Sequence, residues 1–549
     1  MLQLSQIKVP VSHTEDDLKE AAALVLGLKR GGIRLMKVKQ RAIDARRGQV
    51  MFSYTLMIEV ADEAALLRDR GKPGRVELAP DETYCEMVTD KERGQPGPGV
   101  GGRLPPLLGR RPVIVGTGPC GLFAGLLLAR AGLRPVLLER GKAAGDRARD
   151  VTGFWNRGWA FNPESNVQFG EGGAGTFSDG KLYTQIRDRE HRIPWLLNEM
   201  VGAGAPEDIL IKARPHIGTD RLIKVVRAIR EEIISLGGEV RFESRVTDVV
   251  IDGGAMRAVV LADGCTLESD QFIFAIGHSS RDTFEVLHQR GVPFEAKPFS
   301  IGVRIEHPQK LIDKMLYGQW AGDSRLGSAP YKFVAHCSTG RSAYSFCMCP
   351  GGLVVASSSE EGGVVTNGMS SYAREEANAN SGFMVEIRAG DFGSDHSLAG
   401  IELQRKFERA AFTLGGGGYK APAQLLGDFM AGKTSTEALD VQPSYKPGVV
   451  WADLRDCLPP EVIATLKEAV RKVDKSLPGF ALRDAVMTGV ETRSSSPIRI
   501  PRDPATLQCV GVNHFYPAGE GAGYAGGIIS AAADGMRVAE ALMKSRQPR

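Results

Sequence analysis

The alternation of apolar and polar positions changes character along the chain and divides it into segments. Near the amino end, apolar strands such as QIKVPV and MFSYTLMIEV alternate with helical stretches such as EDDLKEAAALVLGL. This order predicts a small α+β domain of the ferredoxin-like type over residues 1–95. Residues 96–110 are rich in Gly, Pro and Arg, and we therefore expect a linker there.

Beyond the linker, the pattern becomes a strand, a glycine turn and an apolar helix, which is typical of a parallel α/β fold. We assign residues 111–283 to the first part of such a domain and residues 481–549 to its closing part, because both carry this pattern. The region between them, 284–480, mixes strands, loops and helices, and we interpret it as an inserted α+β substrate or cap domain.

The stretch RPVIVGTGPCGLFAGLLLARAG places three glycines between an apolar strand and an apolar helix that begins near Pro119, and we assign Pro119 to the cofactor site with these glycines. Gly116 permits the tight turn, Gly118 leaves room for a pyrophosphate beside the backbone, and Gly121 lets helix and strand pack closely. Glu139 lies 23 residues after Gly116 at the end of the next strand. A carboxylate there can accept hydrogen bonds from both ribose hydroxyls of an adenosine, so the spacing predicts a dinucleotide site.

A second glycine cluster, YPAGEGAGYAGG, lies near the carboxyl end and also has the order strand, turn and helix start. FAD is long, and its ribityl and flavin half must be met by such a piece after the first fingerprint has bound the adenosine half. We therefore predict FAD, with Glu520 bonded to a ribityl hydroxyl. The amides around Gly527 and Ile528 would face the flavin and stabilise its reduced, negative form. Gly519 and Gly526 complete this turn.

Further cofactor contacts are predicted where loops follow the strands of the FAD domain. QFGEGGAGTFSDGKL supplies a glycine doublet, while ESRVTDVVIDGG and DGCTLESDQFIFAIGHSS are typical of the β-meander and final strand of such a domain. The residues assigned to the cofactor on this basis are Arg140, Gly172, Gly173, Val246, Ala275 and Gly277.

Several motifs resemble those of a bacterial group of FAD-dependent oxidoreductases, or NAD(FAD)-utilising dehydrogenases, within the glutathione-reductase-like flavoproteins. They are QFGEGGAGTFSDGKL, FAIGHSSRDT, KPFSIGVRIEHPQ, CMCPGGLVV, TNGMS and ETRSSSPIRI. The resemblance covers most of the chain beyond the linker and implies a Rossmann-like FAD-binding domain. It implies no particular substrate.

No motif identifies a catalytic residue, and three candidates rest on position. His278 follows a strand end and could act as an acid or base near the flavin, or cap the following helix. Arg304 alternates with Glu306 along a strand and could anchor a substrate or form a structural ion pair. Arg493, in ETRSSSPIRI, is the preferred candidate for a charged group near the flavin or the substrate.

The cysteines offer a weaker signal. Cys347 and Cys349 form a C-x-C pair, which could be a redox-active disulfide or two buried thiols. The eight cysteines follow no framework spacing, and we expect them to be reduced. No metal site is predicted, because His336 and Cys337 are the only other soft ligands nearby.

Composition narrows the class of protein. Charged residues make up 24%, hydrophobic residues 42% and the net charge is +4. These values are ordinary for a soluble cytoplasmic protein without a membrane span. Residues 29–47 carry eight basic residues and one acidic residue, which is typical of a solvated face or of a docking site for an acidic redox partner. The aromatic residues expected for single-stranded nucleic-acid binding are missing there, which disfavours nucleic acid.

Together these features predict an FAD-dependent oxidoreductase, either a dehydrogenase or a reductase, that passes hydride through flavin N5 to or from a small organic substrate. No second G-x-G-x-x-G is present, so NAD(P)H is one candidate reductant beside a protein donor or the substrate itself. The alternatives are a flavin-dependent RNA-modifying enzyme and a protein in which FAD has a structural role.

Overall fold

The computed structural model describes residues 1–85 and 109–546, so the predicted linker at 96–110 falls almost entirely outside the described residues. The architecture is mixed α/β and contains a parallel sheet, as the sequence predicts. Within the described ranges, no helix is long and apolar enough to cross a membrane.

The first unit is a four-stranded sheet with the strand order β2-β3-β1-β4, in which all neighbours are antiparallel. Its elements are β1 (Leu2–Pro10), α1 (Glu15–Leu26), β2 (Ile33–Asp44), β3 (Met51–Val60), α2 (Glu63–Arg70) and β4 (Val76–Leu78). The βαββαβ order is the connectivity of ferredoxin-like domains. The edge strand β2 occupies most of the basic segment 29–47.

The second unit begins after the predicted linker. Its elements are β5 (Val113–Val115), α3 (Pro119–Arg130), β6 (Val136–Leu138), α4 (Ala144–Arg157), α5 (Arg192–Gly202), α6 (Thr219–Ser235), β7 (Glu239–Arg241), β8 (Val246–Asp252), β9 (Ala255–Leu261), β10 (Thr266–Glu268), β11 (Phe272–Phe274) and α7 (Arg281–Gln289). Strands β8, β9 and β10 form an antiparallel meander.

The middle of the chain forms a seven-stranded sheet in the order β14-β15-β18-β13-β21-β19-β20. The elements of this region are β12 (Glu295–Ala296), β13 (Phe299–Pro308), α8 (Gln309–Tyr317), β14 (Val334–His336), β15 (Ser342–Cys349), β16 (Leu353–Ala356), β17 (Thr366–Met369), β18 (Asn378–Ile387), α9 (Ala399–Leu414), β19 (Ala421–Leu425), α10 (Leu426–Ala431), β20 (Val449–Trp451), α11 (Pro460–Ser476), β21 (Val486–Glu491) and β22 (Ile498–Arg499).

Strand β21 lies inside the range 481–549 that the sequence assigned to the closing part of the FAD domain. It is nevertheless hydrogen-bonded to β13 and β19 of the middle sheet, and all six of its residues are buried. The chain therefore leaves the middle sheet only after Glu491. The other range boundaries stay predictions.

The carboxyl end supplies β23 (Phe515–Pro517) and α12 (Ile528–Ser545), which complete the second unit. Strand β23 joins the five-stranded parallel sheet at its edge, in the order β23-β11-β5-β6-β7. Apolar side chains of α3, α6 and α12 cover one face of this sheet, while the meander and α7 cover the other. Burial on both faces explains why β5, β6, β11 and β23 are continuously apolar.

Candidate functional site

A cavity of about 300 Å³ lies between the carboxyl edge of the parallel sheet and the seven-stranded sheet. We call the part lined by the loops after β5, β6, β11 and β23 the sheet end, and the part lined by Lys181, Cys347, Cys349, Asn367 and Glu491 the distal end. Ligands of open α/β sheets bind at the carboxyl ends of the strands, which is where the sheet end lies.

Most of the predicted cofactor residues line this cavity. They are Gly116, Gly118, Pro119, Glu139, Arg140, Gly173, Val246, Ala275, Gly277, Gly519, Glu520, Gly526, Gly527 and Ile528. Gly121 and Gly172 are not among the lining residues. A Cβ on Gly121 would lie 1.9 Å from the Gly116 carbonyl oxygen, so its place is in helix–strand packing. Gly172 has φ +84° and donates its N–H to the Thr117 carbonyl. Direct cofactor contact by these two glycines stays a prediction.

Two helices begin at the sheet end. Gly118 is the N-cap of α3 and Gly527 is the N-cap of α12, and in the described chain no side chain caps either helix. A Cβ on Gly118 would meet its nearest neighbour at 3.8 Å, and one on Gly527 would meet nothing within 4 Å. The open space beside both N-caps, together with two positive dipole ends, fits a ligand that carries a pyrophosphate and a second electron-rich group. FAD is such a ligand.

The Glu139 carboxylate holds the loops of the sheet end together. One oxygen accepts hydrogen bonds from the Thr117 N–H (3.0 Å) and hydroxyl (2.7 Å), and the other accepts from the N–H groups of Gly141 (2.9 Å) and Gly170 (3.0 Å). A ribose hydroxyl would have to share these already occupied oxygens. The predicted ribose contact of Glu139 stays a prediction.

Arg140 follows Glu139 and forms ion pairs with Glu164 and Asp282, at 2.8 and 2.9 Å. Its guanidinium carbon also lies 4.0 Å from the centre of the Phe169 ring. These partners fix the side chain along the cavity wall, between the loops after β6 and β11.

His278 lines the cavity but does not cap the next helix, because α7 begins after Ser280. Its Nδ1 lies 3.3 Å from Oε1 of Glu520, and both residues line the cavity. Its buried Nε2 has no hydrogen-bond partner among the described residues. The imidazole therefore has one nitrogen beside a carboxylate and a second, buried nitrogen without a partner among the described residues.

Arg493 lines the cavity and belongs to a buried charge cluster. Its Nη2 lies 2.9 Å from Oε2 of Glu408, and its Nη1 donates to the Ser279 hydroxyl at 2.9 Å. Arg281 bonds the same Glu408 carboxylate at 2.8 Å. Although burial raises it, the pKa of Glu408 is held well below its usual range by the guanidinium groups of Arg281 and Arg493. The cluster therefore fixes a charged group at the cavity wall.

Arg304 is fully buried and is not a lining residue. Its ion-pair partner is Glu491 on the neighbouring strand, with Nη2 at 2.9 Å from Oε1, and not Glu306 of its own strand. It also donates to the Cys347 carbonyl at 2.8 Å and to the Asn367 side-chain oxygen at 2.9 Å. Arg304 thus supports the distal end from behind and forms a structural ion pair.

Cys347 and Cys349 are both free thiols that line the distal end. The pairing of β15 with β18 is interrupted by a bulge between Phe346 and Cys349, and Cys347 within this bulge has φ +40°. The Cys347 side chain is exposed and lines the cavity, while Cys349 is buried. Burial raises the pKa of both thiols, that of Cys347 to about 11, so both are protonated at neutral pH. In the described part of the chain no group of three His, Cys, Asp or Glu side chains is placed to hold a metal ion.

Lys181 is a lining residue that the sequence reasoning missed. Its ammonium lies 3.3 Å from Asp179 and 3.9 Å from the Cys349 sulfur. The signal was present in QFGEGGAGTFSDGKL, where Asp179 and Lys181 lie six and eight residues after the glycine doublet of a cofactor loop. Nothing in that stretch indicates that the loop ends against β15 of the middle sheet.

Comparison with known proteins adds family membership. Residues 111–152 match the model of an FAD binding domain, residues 298–494 match one described as FAD-dependent protein, C-terminal domain-like, and residues 1–59 match a domain of unknown function. An uncharacterized protein of Clostridium beijerinckii (strain ATCC 51743 / NCIMB 8052) is 42% identical over 546 residues, which is 99% of this chain and 98% of that protein. The chain belongs to the family of this protein. The two FAD-related matches make it an FAD-binding flavoprotein.

Solved structures show only a distant similarity. The flavin-dependent brominase Bmp2 is 13% identical, with a TM-score of 0.36 over 80% of each chain. Halogenase PltM is 12% identical, with a TM-score of 0.38 over 79% of this chain and 70% of the other. The L-proline dehydrogenase from P. horikoshii is 12% identical, with a TM-score of 0.33 over 80% of this chain and 94% of the other. Scores this low say nothing about the reaction of this flavoprotein.

Proposed function

We propose that this flavoprotein is an FAD-dependent oxidoreductase that acts on a small organic substrate. FAD would lie along the sheet end, and the substrate would bind at the distal end against the middle sheet. The observation that carries the proposal is the single cavity that joins both glycine clusters to a wall of polar and charged side chains. One space of this kind brings a bound flavin and a second ligand into contact.

FAD, when bound, supplies the hydride chemistry at its N5 atom. The residues of this chain bind and orient it. The turn at Gly118 and the start of α3 would hold the pyrophosphate, Glu520 a ribityl hydroxyl, and the amides at Gly527 and Ile528 the flavin edge. The helix start of α12 would favour negative charge there, which develops on reduction.

Two side chains have roles that follow from their surroundings. Arg493 would hold a fixed guanidinium beside the substrate, because Glu408 and Ser279 keep it in one place. His278 would hold or move a proton at its free Nε2, since Glu520 occupies the region of its Nδ1. NAD(P)H as reductant, a redox partner protein, a cytoplasmic location and membership of the glutathione-reductase-like superfamily stay predictions.

The proposal is tested by an anaerobic titration of the purified holoprotein with NADH and then NADPH, followed by visible absorption. A band near about 450 nm that bleaches with either nucleotide supports a reductase linked to that nucleotide. A band that bleaches with dithionite but with neither nucleotide supports a dehydrogenase reduced by its substrate, or a protein donor. A flavin that no reductant bleaches would contradict the oxidoreductase and favour a structural role for FAD.

A further inference from the structure

The distal end carries a lysine whose charge is only partly neutralised. Lys181 lines the cavity, and 19% of its side chain is exposed. Its carboxylate partner, Asp179, is buried and is also bound by the Arg374 guanidinium, at 2.9 and 2.6 Å, and by the Ser370 hydroxyl. One carboxylate therefore faces two permanent cations, and the group has a net charge of about +1.

The other groups near Lys181 do not remove this charge. Burial raises the pKa of the Cys347 and Cys349 thiols, so they are neutral. Burial lowers the pKa of His216, whose backbone pairs with Lys181, to about 4, so its imidazole is neutral at pH 7. Although burial lowers it, the pKa of Lys181 itself is raised above its usual value by Asp179, and the ammonium stays protonated.

Most of the other charged residues on the cavity wall are held in ion pairs. Glu491 is paired with Arg304, and Arg493 with Glu408. Arg140 and Arg245 lie toward the sheet end, and both pair with Glu164. The remaining charged lining residues, Glu139 and Glu520, are carboxylates at the sheet end, so the unbalanced positive charge of the described distal end lies at Lys181.

The same place offers hydrogen-bond donors to a ligand. An ammonium has three N–H groups; Asp179 lies 3.3 Å from it as an ion-pair partner, and the Cys349 sulfur, at 3.9 Å, is a weak acceptor for one N–H. Asn367 lines the same end; its side-chain oxygen accepts from Arg304 at 2.9 Å and from the Gly368 N–H at 2.8 Å, and its amide nitrogen has no acceptor among the described residues. Phe346 and Cys347 provide an apolar surface beside these donors.

We propose that Lys181 binds the anionic group of the substrate, so that the substrate class is an organic carboxylate. A carboxylate would complete the charge balance of the Asp179, Arg374 and Lys181 group and accept from the free N–H donors, while its carbon skeleton packs on Phe346. This inference rests on the proposed FAD-dependent function, because it places the carboxylate in the substrate region of that cavity.

The test is a titration of the holoprotein with acetate, benzoate and phenylacetate and with their neutral amides, read from the visible difference spectrum of bound flavin. At least one acid should bind ten or more times more tightly than its amide. Lys181→Met should abolish that preference with unchanged FAD content, because Asp179 keeps Arg374 as its partner. Lys181→Arg should retain the preference. The control is Lys212→Met. Lys212 is also paired with an aspartate, 2.5 Å from Asp208, but it does not line the cavity, so this variant should retain the preference for the acid.

Equal binding of acids and amides by the unaltered protein would overturn the inference, as would a preference that survives in Lys181→Met. If Lys181→Met loses FAD, the inference is tested instead by the acid–amide preference of Lys181→Gln and of the unaltered protein. The proposed function is judged separately by flavin reduction. If the flavin is reducible but acids bind no better than amides, only the carboxylate assignment is contradicted. If acids bind better than amides but the flavin cannot be reduced, only the oxidoreductase function is contradicted.

Discussion

The two ends of the cavity are built in different ways. The sheet end is made of backbone, since its key features are the N-caps Gly118 and Gly527 and the open space beside them. The distal end is made of side chains that reach it from separate elements, such as Lys181, Cys347 and Glu491. A site built from backbone is specified by a short local sequence pattern, whereas a site built from side chains of separate elements is specified only by the whole fold.

The largest effect on stability is expected at Gly121, a glycine that is needed for packing and does not line the cavity. In Gly121→Ala the new Cβ would lie 1.9 Å from the Gly116 carbonyl oxygen, so we expect a loss of about 4 kcal/mol or more in the free energy of unfolding. In the matched control, Gly526→Ala, the Cβ meets nothing within 4 Å. The stability of both variants is measured by their soluble yield and by thermal unfolding. Similar unfolding temperatures for the two variants would show that the sheet end is not built as described.

The second effect probes the buried charge cluster of Glu408, Arg281 and Arg493 at the cavity wall. Glu408→Gln leaves Arg281 and Arg493 buried without their shared carboxylate, and we expect a cost of roughly 3–5 kcal/mol, measured by chemical denaturation. Glu402→Gln on the same helix is the control. It loses only a pair with Arg405 whose acid is 64% exposed, with an expected cost below about 1 kcal/mol. Equal costs would contradict a buried charge cluster.

The third prediction concerns pH. The pKa of His216 is about 4 in the folded protein, because burial disfavours its charge, against about 6.5 when unfolded. Between these values the unfolded chain binds a proton that the folded chain does not, so stability is complete above pH 6.5 and is lost as the pH falls toward 4. His307 contributes with the same sign, as burial also lowers its pKa to about 4.

His216→Gln should therefore reduce the slope of unfolding free energy against pH in this window, by at most about 1.4 kcal/mol per pH unit. The exposed His336→Gln is the matched control for a histidine-to-glutamine change. Denaturant unfolding at several pH values measures both. An unchanged slope in His216→Gln would contradict the neutral, buried imidazole behind Lys181.

The smallest effect is expected at Cys347. Its thiol is free, protonated and exposed to the cavity, so Cys347→Ser should change stability by less than about 0.5 kcal/mol and leave flavin reduction intact. Cys349→Ser, at a buried position, is the comparison variant. Loss of flavin reduction in both variants, without loss of FAD, would instead identify a redox role for the thiol pair.

These differences explain what the sequence could predict. The strand, glycine turn and helix around Gly118 are contiguous, and the turn at 518–527 repeats that order, so the parallel sheet and most of the lining glycines could be predicted. Glu139 was found by its spacing, but its four hydrogen bonds were not, because three of them come from Thr117 and Gly170 in other loops.

The distal end could not be predicted in this way. Arg493 and Glu408 are 85 residues apart, and Lys181 and Cys349 are 168 residues apart, so no local pattern joins them. The range boundary at 481 placed strand β21 in the closing part of the FAD domain for the same reason, since its partners β13 and β19 lie far from it in the sequence. The contacts of β21 depend on pairing with strands that are distant in the sequence, and the apolar periodicity of a strand does not show which strand it pairs with.

The measurement that tests the central claim most directly is the FAD content of Gly118→Glu beside that of the unaltered protein, with circular dichroism of both. A Cβ at this position meets no protein atom closer than 3.8 Å, so the fold should persist while the side chain occupies the place of the pyrophosphate. The account predicts stoichiometric FAD in the unaltered protein and a folded, colourless variant. A folded variant that keeps its yellow colour with unchanged FAD affinity would contradict it.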